Sequence, residues 1–218
     1  MSGAPERWDG SALVLSSADS NSDRILRFIT EDDRLVAAVA RRARRSAKRG
    51  QDRLQPLSLA SVALTLRERD DLAVVNRGST DHAFATLKGD LIRYALATTM
   101  AEVVLLLVHE FGREAGVYQL LGRAWRALDD PTREPGEDLL LLFELRALAL
   151  GGTLPPPESL TGLSPAARET LAAWLEGRWR PLPDADRGRV ARTLEGFVAD
   201  ASGGRRLKSR AFLDQVLP

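Results

Sequence analysis

The sequence predicts an α+β chain in which a small all-β region, a barrel or a sandwich, precedes a run of helices. Three observations carry this. The first 80 of the 218 residues hold five short apolar stretches separated by turn signals. From residue 81 onward, apolar residues recur at helical spacing between capping residues and Pro or Gly stops. Strands and helices do not alternate, which argues against an α/β fold and for two domains, residues 1–80 and 81–218.

The strands follow in order. Ser11–Ser16 is short and apolar, Arg24–Thr30 and Arg34–Ala40 flank the turn signal Glu31-Asp32-Asp33, and the pair reads as a hairpin. Leu57–Arg67 is longer and alternates unevenly, as expected of a strand that bends or crosses between sheets. Asp70-Asp71 then turns the chain into Leu72–Ser79.

The helical part opens with Asp81 as N-cap of a short helix and Asp90 as N-cap of the apolar stretch Leu91–Val108. That stretch carries Arg93 and Glu102 and reads as a buried helix rather than a membrane span. Tyr118, Leu121, Trp125 and Leu128 share one helical face, and Asp129-Asp130-Pro131 is the stop. Glu137–Leu150 is the next helix, ended by Gly151-Gly152. Thr153–Thr161, with Pro155-Pro156-Pro157, is expected as an extended surface loop. Ser164-Pro165 opens a helix as N-cap and first residue. Asp184 caps another, Ser202-Gly203-Gly204 breaks it, and a short helix over 209–216 ends the order.

Composition excludes several chemistries. There is no cysteine, so disulfides, thiolate metal sites, iron–sulfur clusters and thiol nucleophiles are ruled out. His82 and His109 are the only histidines, which excludes a multi-histidine metal site. No zincin motif, Gly-x-Gly-x-x-Gly or Gly-x-Ser-x-Gly is present, and Gly203-Gly204-Arg205-Arg206 lacks the ending of a phosphate loop. The expectation is a non-enzyme with no cofactor, no metal, no small-molecule substrate and no membrane contact. Trp125, Trp174 and Trp179 are expected in the core.

Charge is unevenly distributed behind a net value of +1. Residues 1–80 have 14 basic and 11 acidic side chains, residues 81–202 have 13 and 18, and residues 203–218 have 4 and 1. The sharpest feature is the run from Arg41 to Arg53, with seven basic residues and one acid. Arg41, Arg42, Arg44, Arg45, Lys48, Arg49 and Arg53 fall between two predicted strands of the β region. Such a run repels itself unless a polyanion neutralises it, and Arg forks match phosphate oxygens. Loops between the strands of small barrels are also where oligonucleotides bind. Aromatics are scarce in the first 80 residues, essentially Trp8 and Phe28, so contact with backbone phosphates is expected over base stacking. Arg205, Arg206, Lys208 and Arg210 form a second, shorter cluster, and Arg24 is a further candidate contact.

These residues resemble a known family. Ala12-Leu13-Val14-Leu15, Ser22-Asp23-Arg24-Ile25, Ala43-Arg44-Arg45-Ser46 and Leu54-Gln55-Pro56 look like the opening of the bacterial recombination mediators of the RecO family. Leu142-Phe143-Glu144-Leu145-Arg146 and the ending from Arg206 to Leu213 are similar to that family's helical half. The resemblance implies an N-terminal OB-fold β-barrel and an all-α helical domain in a cytoplasmic, nucleoid-associated protein of DNA repair. It implies binding of single- and double-stranded DNA, annealing of complementary strands, and partnership with RecR and the SSB C-terminal tail to promote RecA loading. Two departures stand out. The family's four-cysteine zinc knuckle has no counterpart, its place being taken by the Pro-rich stretch 154–163, and Arg42 stands where the family commonly has Gly.

A second hypothesis is a protein–protein adaptor of replication and repair with little DNA binding of its own, given the near-neutral charge and the acidic helical middle. A third is an RNA-binding barrel with a helical extension. The SSB-tail pocket is expected to combine an apolar hollow with one or two cations, since its ligand is apolar and acidic.

Overall fold

The computed structural model describes residues 5–21, 23–41, 54–66, 72–107 and 116–217. Five strands are followed by helices, as the sequence predicts: β1 (Glu6–Ser20), β2 (Asp23–Thr30), β3 (Leu35–Ala40), β4 (Ser58–Leu66) and β5 (Ala73–His82). They close a barrel in the order β1-β2-β3-β5-β4. The 15-residue β1 makes closure possible. Its first part pairs with β4, from Glu6 opposite Leu66 to Val14 opposite Ser58. Its second part pairs with β2, from Ala12 opposite Thr30 to Ser20 opposite Asp23, with a register slip between Val14 and Ser16. Such an irregularity bends the strand around the barrel. The hairpin of β2 and β3 runs from Arg24 opposite Ala40 to Ile29 opposite Leu35. A short parallel contact between β3 and β5 completes the ring.

Alternation sorts the barrel side chains. Ala12, Val14, Leu26, Phe28, Val36, Ala38, Ala60, Val62 and Leu64 fill the interior. Leu13, Leu15 and Ile29 face outward and are buried all the same, because they join the core of the helical part. Burial on both faces explains why Ala12–Leu15 reads as an unbroken apolar run.

The helices are α1 (Ala85–Gly89), α2 (Leu91–Leu107), α3 (Val117–Asp129), α4 (Glu137–Leu150), α5 (Pro165–Leu175), α6 (Asp184–Ala201) and α7 (Arg210–Val216). Asp90 caps α2 through the Arg93 amide at 2.9 Å. Ser164 caps α5 through the Ala167 amide at 3.1 Å, with Pro165 next. Two expected caps differ. Asp81 lies within β5 and accepts the Ser61 hydroxyl at 2.7 Å. The β4–β5 ladder reaches His82, so strand pairing takes this residue before a helix can start. The free amide of Leu87 in α1 is satisfied by Asp129 from the end of α3, at 2.9 Å. Asp184 is the first residue of α6, with Pro183 at the cap position. The stretch 153–164 holds a 3-10 turn at Pro157–Ser159 and buries Leu160 and Leu163 against the helices.

α2 is buried along most of its length and packs against α3, α4 and α7. Among the described residues, no helix is long and apolar enough to cross a membrane. Three ionisable side chains are enclosed in this part: Asp186 of α6, which accepts the Ser164 hydroxyl at 2.5 Å, Arg93 and Glu144. The guanidinium of Arg93 donates from Nη1 to the carbonyls of Leu128 at 2.6 Å and Asp130 at 2.9 Å, and from Nη2 to that of Arg133. Glu144 of α4 is fully buried, and neither carboxyl oxygen has a hydrogen-bond partner among the described residues. Burial pushes its carboxyl up to about 8, against an opposing pull from Arg210.

Candidate nucleic-acid interface

The basic run leaves the barrel at Arg41, an exposed residue directly after β3. Arg42, Arg44, Arg45, Lys48, Arg49 and Arg53 lie outside the described residues. The chain re-enters at Leu54, whose side chain is buried in the barrel interior. Both ends of the run are therefore held at one end of the barrel. Arg24 marks that end: it pairs in register with Ala40, and its Nη1 donates to the Leu54 carbonyl at 3.4 Å. Gly78 of β5 packs closely there: a Cβ would come within 2.7 Å of Leu54 Cδ1, so a larger residue would have to displace the Leu54 side chain. The Nε of Arg24 donates to Asp19 at 2.9 Å, so a phosphate contact by Arg24 would compete with an ion pair.

The four cations of the tail divide in two. Arg205 donates from Nε to the Ser202 carbonyl at 2.9 Å and from Nη2 to the Leu106 carbonyl, in the last turn of α2, at 3.2 Å. Arg210 is largely enclosed and pairs with Glu137 at 2.9 Å and Asp214 at 3.4 Å. Arg206 and Lys208 are exposed, and their side chains have no ion-pair partner among the described residues.

Arg205, Arg206 and Lys208 face the barrel across a groove of about 940 Å³. The opposite wall is the outer surface of the β2–β3 hairpin, with Arg27 and Arg34, and the floor is the C-terminal half of α2. The sequence prediction missed Arg27 and Arg34. The signal was present: Leu26 and Phe28 face inward, so Arg27 between them must face out.

A second hollow, of about 570 Å³, lies between α3 and α4. Leu120, Leu139, Leu142 and Phe143 make it apolar, and Arg123 and Arg146 supply cations. Arg146 is fixed by hydrogen bonds from Nε and Nη2 to the Trp174 carbonyl, at 3.2 and 2.8 Å. Trp125 and Trp174 are buried, as expected; Trp179 is 60% exposed and stacks on Trp174. Glu158 is the only charged side chain in the stretch 153–164. It does not offer the donors that a structural zinc requires.

Family and sequence comparisons agree with this architecture. The model described as Recombination protein O N terminal matches residues 4–84, and the one described as Recombination protein O C terminal matches residues 88–159. The chain is 31% identical to the DNA repair protein RecO of Myxococcus xanthus, over 97% of this chain and 98% of that protein. It is 30% identical to the RecO of Anaeromyxobacter dehalogenans strain 2CP-C, over 94% of this chain and 95% of the relative. It is also 30% identical to that of Symbiobacterium thermophilum, over 90% and 92%. With an OB-type strand order, a helical second half and relatives that match from end to end, this chain belongs to the RecO family of DNA repair proteins.

Proposed function

We propose that this chain is a non-enzymatic mediator of DNA repair and recombination that binds single- and double-stranded DNA and anneals complementary strands. It works with RecR and SSB to promote RecA loading, in the cytoplasm at the nucleoid. Family membership supports the role, and the basic run between β3 and β4 is the observation that carries DNA binding. Two strands repel each other, and a cationic surface that neutralises both lowers the barrier to their encounter. The phosphate contacts are Arg41, Arg42, Arg44, Arg45, Lys48, Arg49 and Arg53. Arg206 and Lys208 add to them; Arg24, Arg205 and Arg210 contribute less because they are engaged elsewhere. Residues 1–80 carry most of the DNA contacts, and the helical domain, residues 81–218, adds those of Arg206 and Lys208.

If about five phosphates are engaged, log affinity for single strands falls with log salt at a slope of roughly −3.5. The double substitution Arg44→Glu and Arg45→Glu is expected to weaken binding to all sequences alike. Unchanged affinity in that variant would remove the run from the interface.

The hollow between α3 and α4 supports a binding site for the SSB C-terminal tail, because it pairs apolar walls with two guanidinium groups. Arg123→Glu and Leu142→Asp are expected to abolish capture of an SSB-tail peptide while leaving oligonucleotide binding intact. If instead the parent captures the peptide and shows no salt-dependent DNA binding, the chain is an adaptor.

A further inference from the structure

We infer that Trp179, in the turn after α5, is a stacking platform for a base of single-stranded nucleic acid. The inference rests on the strand binding proposed above and adds a contact to the base, made by the helical domain.

The turn is built to hold this ring. At the end of α5, Gly177 takes a φ of 83°, its amide donates to the Trp174 carbonyl at 3.2 Å, and the Arg178 amide donates to the Ala173 carbonyl at 2.8 Å. The chain is thereby turned back along the helix. Trp179 lies on Trp174 with ring centroids 5.6 Å apart and planes within 10° of parallel. Trp174 is itself fixed: it is fully buried, its Nε1 donates to the Arg180 carbonyl at 2.8 Å, and its own carbonyl accepts from Arg146. One face of Trp179 is therefore seated on a rigid support, and with 60% of the residue exposed the other face is open. Tyr94 and Phe212 are exposed too, but neither ring has an aromatic neighbour among the described residues.

The surroundings select the ligand. Glu176, Gly177, Arg178, Arg180 and Pro181 are all exposed, and Trp179 lines neither hollow described above. An apolar peptide side chain gains its affinity in a desolvated pocket. A flat face rimmed by charge suits a nucleobase, which needs a π-surface on one side and leaves its edges in water. Two guanidinium groups flank the ring in the chain. Arg178 donates from Nε to Glu176 at 3.0 Å, and Arg180 pairs with Glu169 at 3.7 Å. Both pairs are exposed, so a phosphate displaces the carboxylates at little cost. Among its described residues the barrel offers no equivalent platform: Phe28 is buried in the interior, and Trp8 packs against that interior. In a duplex the base faces are covered by their neighbours in the stack, so the site accepts a single strand.

The test uses the full chain and a strand without bases. Affinities for oligo(dT), for an abasic deoxyribose-phosphate strand of equal length and for a duplex are titrated against salt. The proteins are the parent, Trp179→Ala, Trp179→Phe and the control Leu91→Ala, with thermal melting to check folding. Trp179→Ala should lose about tenfold in affinity for oligo(dT). It should stay within twofold on the abasic strand and the duplex, with an unchanged salt slope, because no cation is removed. Trp179→Phe should keep most of the affinity but lose the quenching of tryptophan fluorescence that oligo(dT) produces in the parent. Leu91→Ala should behave as the parent does. Should Trp179→Ala melt too low to use, the parent alone decides: quenching by oligo(dT) and none by the abasic strand supports the platform, and equal quenching by both rejects it. Unchanged oligo(dT) affinity in Trp179→Ala, beside a parent that binds, would overturn the platform and leave the phosphate interface standing. An equal loss on the abasic strand would rule out contact with the base. Loss of SSB-tail capture with oligo(dT) binding intact would make Trp179 part of a peptide site instead. A parent that binds no oligonucleotide at all would remove both readings.

Discussion

The barrel interior and the helical core solve the same burial problem differently. The barrel encloses aliphatic side chains and Phe28, with no charged group among its described buried residues. The helical core closes over Arg93 and Glu144 and treats them in opposite ways. Arg93 gathers three carbonyls at and beyond the end of α3, satisfying acceptors that the helix itself leaves open. Glu144 has no hydrogen-bond partner for either oxygen among the described residues. Burying an ionisable group is tolerable where it completes the hydrogen bonds of a helix terminus, and costly where it completes none.

The largest effect expected from this contrast is at Arg93. Arg93→Met keeps the apolar stem and strands the three carbonyls, and should cost about 3 kcal/mol or more in chemical denaturation. A loss below about 1 kcal/mol would mean that water replaces the guanidinium and that the two buried groups are alike.

Glu144→Leu should act in the opposite direction and stabilise by about 2 kcal/mol near neutral pH. The pH dependence has a definite sign. The folded carboxyl titrates at about 8 against 4.5 when unfolded, so folding takes up a proton between those values. The parent's stability should therefore decline as pH rises from 4.5 towards 8 and level off above that. Glu144→Gln should flatten this window, as read by melting temperature against pH.

A smaller effect is expected where the two halves meet. Asp33→Ala removes the acceptor for the Gly116 and Tyr118 amides and should cost about 1–2 kcal/mol. The smallest is on the open barrel surface. The exposed pair Arg77–Asp9, at 3.1 Å, should show a coupling energy under about 0.5 kcal/mol in a double-mutant cycle, vanishing at high salt.

Much of this molecule was legible in its sequence, because local signals decide element order. Glu137–Leu150 and the Ser164-Pro165 helix start follow from apolar spacing and punctuation alone. Asp81 was misleading because a helix cap is a local preference, whereas the β4 register that claims it is set some 20 residues away. The density of charge in Arg41–Arg53 is a sequence property. The division of the tail is not: Arg205 bonds to the carbonyl of Leu106 and Arg210 to Glu137, both distant in the chain. Arg27 escaped notice because one cation in a strand carries no density, and only the fold brings it opposite Arg206 and Lys208.

Asp33 sits at a positive φ of 58° in the β2–β3 turn and supplies the side-chain cap that Gly116 cannot give α3. The consequence concerns the order of assembly. A helix with open amides at its start frays, and α3 has no capping side chain of its own there. Its first turn gains full protection only once the β2–β3 hairpin has closed. The two halves should then unfold in a single transition, and amides at the start of α3 should exchange with solvent as slowly as those of the barrel.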